Sequence, residues 1–414
     1  MLTQSIQTNR STRTSPLKKL VFQALDRIHI GRLTLIDGDN RHEFVGSEQT
    51  SFCATVHVER SRFYHRLLFG GSNGAGEAYA DGDWRTDDLT QVIRLFAAND
   101  DALNSLDGVM FRLVRRAVEQ FEHLSNRNTL SGSQKNIAAH YDLSNDFFKL
   151  WLDKRMMYSA AVYPHADTDL ETASATKLAR LAEKLDLSPG MKILEIGTGW
   201  GGLAMYLATH YDVTVTTTTI SVSQYDEARS RVSSAQLDDK ITVLLEDYRN
   251  LTGHFDRVVS VEMVEAVGDD FVDGYFTKVE SLLKPGGRFV MQAITIEDQK
   301  YLAALKEVDF IKKHIFPGSF IPSLARLLSA SKQTPSLRLT NLEDIGLDYA
   351  RTLSDWRERF LSKTGELEAL GFDERFRRLW LFYFAYCEGG FLERRISDAQ
   401  LIFENKPKSL QATQ

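Results

Sequence analysis

The sequence predicts an α/β protein: a parallel sheet with helices on both faces and a cap insertion, preceded by a small α+β domain. Three observations lead there. The C-terminal part alternates strand-like and helix-like stretches, a rhythm that implies a parallel sheet. The first of those strands runs directly into a glycine-rich loop, ILEIGTGWGG. The N-terminal part has a different rhythm, of paired strands and turns, and ends in a polar joint.

At 414 residues the chain is too long for one ordinary core. With 43% hydrophobic and 26% charged residues it has a globular composition. No apolar run reaches the ~18 residues of a membrane span, and MLTQSIQTNRSTRTSPLKKL lacks the apolar block of a signal peptide. The expected location is therefore cytoplasmic. A net charge of −6 argues against a nucleic-acid partner. Cys53 and Cys387 stand in unrelated contexts, so neither a disulfide framework nor a metal site is expected.

Arg10, Arg13, Lys18 and Lys19 precede the first acidic residue, Asp26, and LKKLVFQALDRI has helical periodicity. Two readings stay open: a tail followed by a surface helix, or a foot on an anionic membrane surface. GRLTLIDGDNRHEF then places Leu33 and Leu35 on one strand face around a turn at Asp37–Asn40, and ATVHVE continues the alternation. Gly70, Gly71, Gly74, Gly76 and Gly82 read as punctuation before the helical DDLTQVIRLFAAN. The small domain spans 1–125, with VMFRLVRRAVEQFEHL as its last helix, and a linker spans 126–136. From 137 to 414 the order is KILEI, LAMYLATHY, VTVTT, SQYDEARSRV, ITVLL, FDRVVSVEM, VDGYFTKVESLL and RFVMQAIT, which closes the series. A segment at about 296–345 departs from the sheet and reads as a cap over the site. The aromatic stripe of ERFRRLWLFYFAYCEGGF reads as core packing, with a ligand tunnel as the alternative.

The glycine loop contains G-x-G-x-x-G at Gly197, Gly199 and Gly202. A dinucleotide site would offer bare backbone to a pyrophosphate and an acid to the ribose at the end of the second strand. Here an acid, Glu195, precedes the first glycine, and the second strand ends in VTVTTTTISVSQ without one. A carboxylate at the strand mouth repels a pyrophosphate and suits a cationic ligand. Asp247, closing the third strand in LLEDYRNL, is placed to accept a hydrogen bond from an adenine amine. S-adenosylmethionine has the ammonium, sulfonium and adenine that this set asks for, and the glycines let backbone approach it closely. The fold is then that of a Rossmann-like S-adenosylmethionine-dependent methyltransferase.

HYDLSNDFFKLWLD, MMYSAAVYP, LEIGTGWGGLAMY, TISVSQ, LLEDYRNL, SVEMVEAVG, IFPG and DWRERF follow in one order. This series resembles the cyclopropane-fatty-acyl-phospholipid synthase family, including its mycolic-acid cyclopropane synthase-like members, from about Ile137 to Glu404. The small domain resembles the N-terminal domain of the bacterial phospholipid-acting members. The resemblance implies methyl transfer from S-adenosylmethionine to a cis double bond of an acyl chain in a phospholipid. It implies cofactor contacts by Tyr158, Ser159, Gly197, Gly199, Thr219, Gln224 and Asp247, and a place at the membrane surface, with a homodimer carried as a further expectation.

The family's usual base is a bound bicarbonate, held by a glutamate, a histidine, a tyrosine and backbone groups. By similarity Glu265, Tyr349 and the backbone of Ile294 match three of these. Ala160 replaces a cysteine that contributes through its backbone, and Gln292 replaces the histidine. Glu262 is an extra acid where relatives commonly have small residues. It is either a solvated or salt-bridged strand end, or part of the site and then a candidate direct base, with weaker dependence on bicarbonate. Cys387 reads as a small buried hydrophobe, since nothing near it in sequence would activate a thiolate. The expected product is a cyclopropane. A methyl- or methylene-branched chain, a small-amine N-methyltransferase and a non-catalytic lipid-binding protein are the alternatives.

Overall fold

The computed structural model describes residues 15–100 and 143–406. The chain divides into two compact units, 1–112 and 113–414. The basic tail with Arg10 and Arg13, the charged helix before the joint and the proposed linker at 126–136 lie outside the described residues.

In the first unit, α1 (Pro16–Leu25) precedes β1 (Ile30–Asp37), β2 (Asn40–Val45) and β3 (Glu48–Val58). The sheet order is β2-β1-β3-β4, with β4 at Trp84–Arg85. Strand β1 pairs antiparallel with β2 and parallel with β3. Leu33 and Leu35 are both buried, as their alternation requires. Lys18 is not a free basic contact: it bonds the Asp37 carboxylate and lies over the rings of Phe22 and Tyr64. Four of the glycines expected as punctuation, Gly70, Gly71, Gly74 and Gly76, lie instead within a helix, α2 (Arg62–Ala80), interrupted at Gly71 with φ 53°, while Gly82 does form the turn after it. Gly74 explains part of this, because a Cβ there would lie 1.9 Å from the Arg66 carbonyl oxygen. A last helix, α3 (Leu89–Ala98), is capped by Asp88, whose side chain accepts from Gln91 N–H.

The second unit is built on a seven-stranded sheet of order β10-β11-β9-β8-β5-β6-β7. Its parallel part comprises β5 (Met191–Ile196), β6 (Val213–Thr219), β7 (Ile241–Leu245), β8 (Phe255–Val261) and β9 (Leu283–Ile296). The order reverses between β5 and β8, so a crevice opens beyond their carboxyl ends, where such sheets bind ligands. Two cores flank the sheet. One gathers Leu178, Leu181, Ile193, Leu203 and Val215, the other Val258, Tyr275, Phe276, Phe289 and Leu401.

The sheet does not close at RFVMQAIT. Two more strands follow, β10 (Leu337–Asp344) and β11 (Ile396–Asn405), with β11 antiparallel to both β9 and β10. Residues 337–344, expected within the cap, are therefore an edge strand. An antiparallel strand far away in sequence leaves no alternating strand and helix rhythm to read. The preceding stretch does leave the sheet, as three short helices at Asp298–Ala304, Phe310–His314 and Leu324–Lys332.

The aromatic helix, α4 (Glu374–Leu392), packs its stripe into a ring cluster with the short helix Asn145–Lys149 and with α5 (Gly346–Ser362). Phe147 meets Trp380 at 4.8 Å between centroids, Phe148 meets Trp200 at 4.9 Å, and Trp151 meets both Trp356 and Phe384 within 5.5 Å. Core packing thus accounts for the stripe. Trp151 sits at the centre of this cluster with no exposed surface. Trp151→Ala should cost about 3–5 kcal/mol of unfolding free energy, read in urea as a lower midpoint with little change of slope.

Candidate active site

The loop after β5 carries Gly197 at φ 101° and Gly199 at φ 51°, in the left-handed region where a side chain is disfavoured. Thr218 O accepts from the N–H groups of Gly197 and Thr198, which ties the loop to the neighbouring strand. The third glycine serves packing: a Cβ on Gly202 would lie 2.5 Å from Met157 Sδ and 2.7 Å from the Arg155 carbonyl oxygen. At Gly199 a Cβ would meet nothing within 4 Å, so this loop borders open space.

Of the other residues expected at the cofactor, Glu195 lies near the carboxyl end of β5, Thr219 ends β6 and Asp247 follows β7. Glu195, 3% exposed, accepts from Thr217 Oγ1 at 2.6 Å, and burial pushes its carboxyl up to about 8. Thr219 Oγ1 donates to Gln224 Oε1 at 2.9 Å. Asp247 is held by Arg249, whose Nε and Nη2 reach its two oxygens at 2.8 and 2.5 Å. Burial alone would raise the Asp247 carboxyl, but the Arg249 hydrogen bonds hold it below its usual range. Tyr158 shares a hydrogen bond of 3.1 Å with the hydroxyl of Tyr383, and Ser159 Oγ accepts from Lys177 Nζ at 2.6 Å.

Glu262 is at the centre of a second constellation, at the end of β8. Its Oε1 accepts from Ala160 N–H and from Gln292 Nε2, both at 2.8 Å, and its Oε2 accepts from the Tyr349 hydroxyl at 2.8 Å. The residue has φ 47°, a strained conformation for a side-chain-bearing residue and one that collects at functional sites. It is partly buried and clamped by these donors rather than a solvated strand end, and loss of hydration raises its carboxyl above the usual range. Glu265 follows on a 3-10 turn, Val264–Ala266. Its Oε1 accepts from Ile294 N–H at 2.6 Å, while its Oε2 has no hydrogen-bond partner. Burial and then the Glu262 charge push Glu265 up to about 8.

Residues 128–401 match the family model of mycolic acid cyclopropane synthetase. The chain belongs to this family. It is 38% identical to the cyclopropane-fatty-acyl-phospholipid synthase of Escherichia coli strain K12, over 84% of this chain and 87% of that one. It is also 38% identical to the tuberculostearic acid methyltransferase UfaA1 of Mycobacterium tuberculosis, over 78% and 76%. Among solved structures, mycolic acid cyclopropane synthase CmaA1 complexed with SAH and CTAB superposes with a TM-score of 0.62 at 29% identity, covering 66% of this chain and 98% of that one. The second unit has the fold of S-adenosylmethionine-dependent methyltransferases, and S-adenosylmethionine is the methyl donor. The loop and its surroundings fit that molecule: open backbone at Gly199 and a buried acid, Glu195, whose carboxyl gains most from a cationic neighbour.

A bicarbonate fits this member of the mycolic acid cyclopropane synthetase family less well. Ala160 N–H, Gln292 and Tyr349 already donate to Glu262, and Ile294 N–H already donates to Glu265. Gln292 and Tyr349 both donate to Glu262. Three further residues join the site unannounced by any motif: Lys177, Asp398 and Gln400. Lys177 has no exposed surface and faces Glu262, Asp153, Asp398 and Glu195. Periodicity could have found it, since it lies on the inward stripe Leu170, Ala173, Ser174, Lys177, Leu178 and Leu181 of the helix Leu170–Leu185. Cys387 remains apart from this chemistry, because burial pushes its thiol up and away from the thiolate.

The raised Glu265 carboxyl has a consequence for stability. Between its ordinary value near 4.5 and about 8 the unfolded chain ionises while the folded chain keeps the proton. Stability therefore falls as pH rises through that window, by on the order of several kcal/mol. Urea unfolding of Glu265→Gln and wild type at pH 5 and pH 8 should show the variant gaining stability relative to wild type at the higher pH.

Proposed function

We propose that the chain methylates a cis double bond of an unsaturated phospholipid acyl chain and closes a cyclopropane, with Glu262 as the proton acceptor. The observation that carries this reading is the Glu262 carboxylate, partly buried and gripped by three donors, one of them the N–H of Ala160 next to Ser159. In this reading Tyr158, Ser159, Glu195, Gly197, Gly199, Thr219, Gln224 and Asp247 hold S-adenosylmethionine, whose sulfonium supplies an activated methyl group. An alkene is a weak nucleophile, so positioning dominates the first half of the reaction. Rings stand near Tyr158 for this purpose: Trp356 at 5.4 Å and Phe316 at 6.0 Å between centroids. Their faces can stabilise the positive charge left on the chain.

Glu262 then takes a proton from the methylated chain. Its three donors fix the carboxylate, and its burial makes it more basic than an exposed glutamate. Tyr349, pushed well above its ordinary value by burial and by Glu262, stays a hydroxyl and donates. No step requires bicarbonate, because the donors a bicarbonate would use are engaged by Glu262 and Glu265. Replacing Glu262 by Gln should lower kcat by 100-fold or more, in bicarbonate-free buffer with labelled S-adenosylmethionine and unsaturated phospholipid. Glu262→Gly, which removes the backbone strain and frees the three donors, should be inactive alone and regain activity when bicarbonate is added. Wild-type turnover by Glu262→Gln would remove Glu262 as the base.

A second product deserves a place in the same assay. The chain is equally identical to a cyclopropane synthase and to a protein named a methyltransferase of tuberculostearic acid, and its own carboxylate occupies the donors assigned to a bicarbonate. A hydride shift that moves the cation onto the methyl-bearing carbon, followed by loss of a proton from the new methyl, would leave a methylene branch, and loss of a proton from a flanking chain carbon would leave a shifted alkene. Mass spectrometry of the labelled lipid distinguishes a ring from these.

Among the described residues no helix is long and apolar enough to cross a membrane. The proposed meeting with phospholipid is at the surface, through the first unit and the basic N-terminal segment. Each Lys or Arg at an anionic surface contributes about 1 kcal/mol, and salt screens it. Removing residues 1–20 should lower co-sedimentation with anionic vesicles at low salt, and the mass in solution tests the expected homodimer.

A further inference from the structure

Asp398 lies on β11, paired in register with Ile294 of β9, and is fully buried. Its Oδ2 accepts from Gln292 Nε2 at 3.0 Å, while no donor reaches its Oδ1. The same Gln292 nitrogen donates to Glu262 Oε1 at 2.8 Å, and the Asp398 carboxyl lies within hydrogen-bond reach of Glu262. Gln400 Nε2 donates to Gln292 Oε1 at 3.0 Å. That bond turns the oxygen of the amide towards Gln400 and its NH2 towards both acids. One amide thus bridges two carboxyls, one fully and one partly buried.

We propose that Asp398 is a positioning residue for the proton acceptor: Asp398 and Glu262 share one proton, so that Glu262 meets the substrate as the anion and Asp398 as the acid. This rests on the reading of Glu262 as base. Two carboxylates this close in a dry site do not both ionise, and two acids with no ionised partner could not accept a proton. A single proton between them resolves both demands. The charges facing the pair agree. Lys177, from the helix Leu170–Leu185, supplies a cation, while Glu265 from the turn and Glu195 from β5 are acids held up by burial, and Tyr349 from α5 stays a neutral donor. Asp153, the other acid facing Lys177, already accepts from the N–H groups of Arg155 and Met157 and from Ser174.

In the reaction, a C–H bond of the methylated chain breaks, its electron pair closes the ring, and the proton forms an O–H bond on Glu262. The pair then carries two protons and no charge. One proton passes to solvent as product leaves, which restores the anion.

The test reads the proton directly. Infrared spectra of the full-length protein at pH 7 should show a carboxylic-acid carbonyl band that moves when aspartate is 13C-labelled and is lost in Asp398→Asn. The same variant should lower kcat tenfold or more with KM for S-adenosylmethionine little changed, and should alter the pH profile of kcat. In Glu262→Gln, Asp398 loses its anionic neighbour, and its acid band should titrate at lower pH. The labelled wild type keeps the measurement decisive even if a variant folds poorly. No aspartate-sensitive acid band, together with an inactive Glu262→Gln, would overturn the shared proton and leave the base reading standing. An aspartate-sensitive band with full turnover in Glu262→Gln would overturn the base reading and the positioning role with it.

Discussion

A buried charge must be paired, and much of this site follows from how few cations are available to do it. Lys177 has no exposed surface and faces Glu195, Glu262, Asp398 and Asp153. Burial alone pushes a lysine towards neutrality, and the surrounding acids oppose that. One cation cannot balance four carboxylates in a low-dielectric interior. The remaining demand is met in two ways: by hydrogen bonds from neutral donors, as at Glu262 and Asp153, and by protons retained on acids, as at Glu195 and Asp398. Glu195, Glu262 and Asp398 are thereby kept more basic than exposed acids, which is what a proton acceptor working near neutrality needs.

The fold supplies those donors from distant parts of the chain. Glu262 ends a parallel strand of the sheet, Gln292 lies on the next strand, Asp398 and Gln400 come from the antiparallel strand beyond, and Tyr349 comes from a helix before that strand. Backbone register holds three of these elements together: Val261 pairs with Gln292, and Gln292 pairs with Gln400. The aromatic cluster around Trp151 fastens the helices bearing Trp356 and Trp380 to the segment that leads into Tyr158 and Ser159. Packing and chemistry are therefore coupled, because a shift of those helices would move Tyr349 relative to Glu262.

The parallel half of the sheet and its glycine loop were legible because both follow local rules. Strand and helix periods alternate over short distances, and a glycine loop after the first strand needs positive φ, as Gly197 and Gly199 have. The small-domain glycines were misleading for the same reason. Local punctuation suggested a turn at Gly74, whereas close approach of the Arg66 carbonyl requires a glycine inside a helix. The last two strands are not legible in this way, because antiparallel pairings that span from about fifty to more than a hundred residues leave no periodic mark. Residues 337–344 consequently read as cap.

Residue type at a motif position is enough to specify the fold class, the glycine loop, the acid before it and the departures at Gln292 and Glu262. What those departures do depends on contacts made in the folded chain. Whether Glu262 is solvated or clamped depends on Ala160, Gln292 and Tyr349, which lie 102, 30 and 87 residues away in the chain. Burial sets the protonation of Glu195, Glu265 and Asp398, and burial is a property of the assembled layers rather than of any segment.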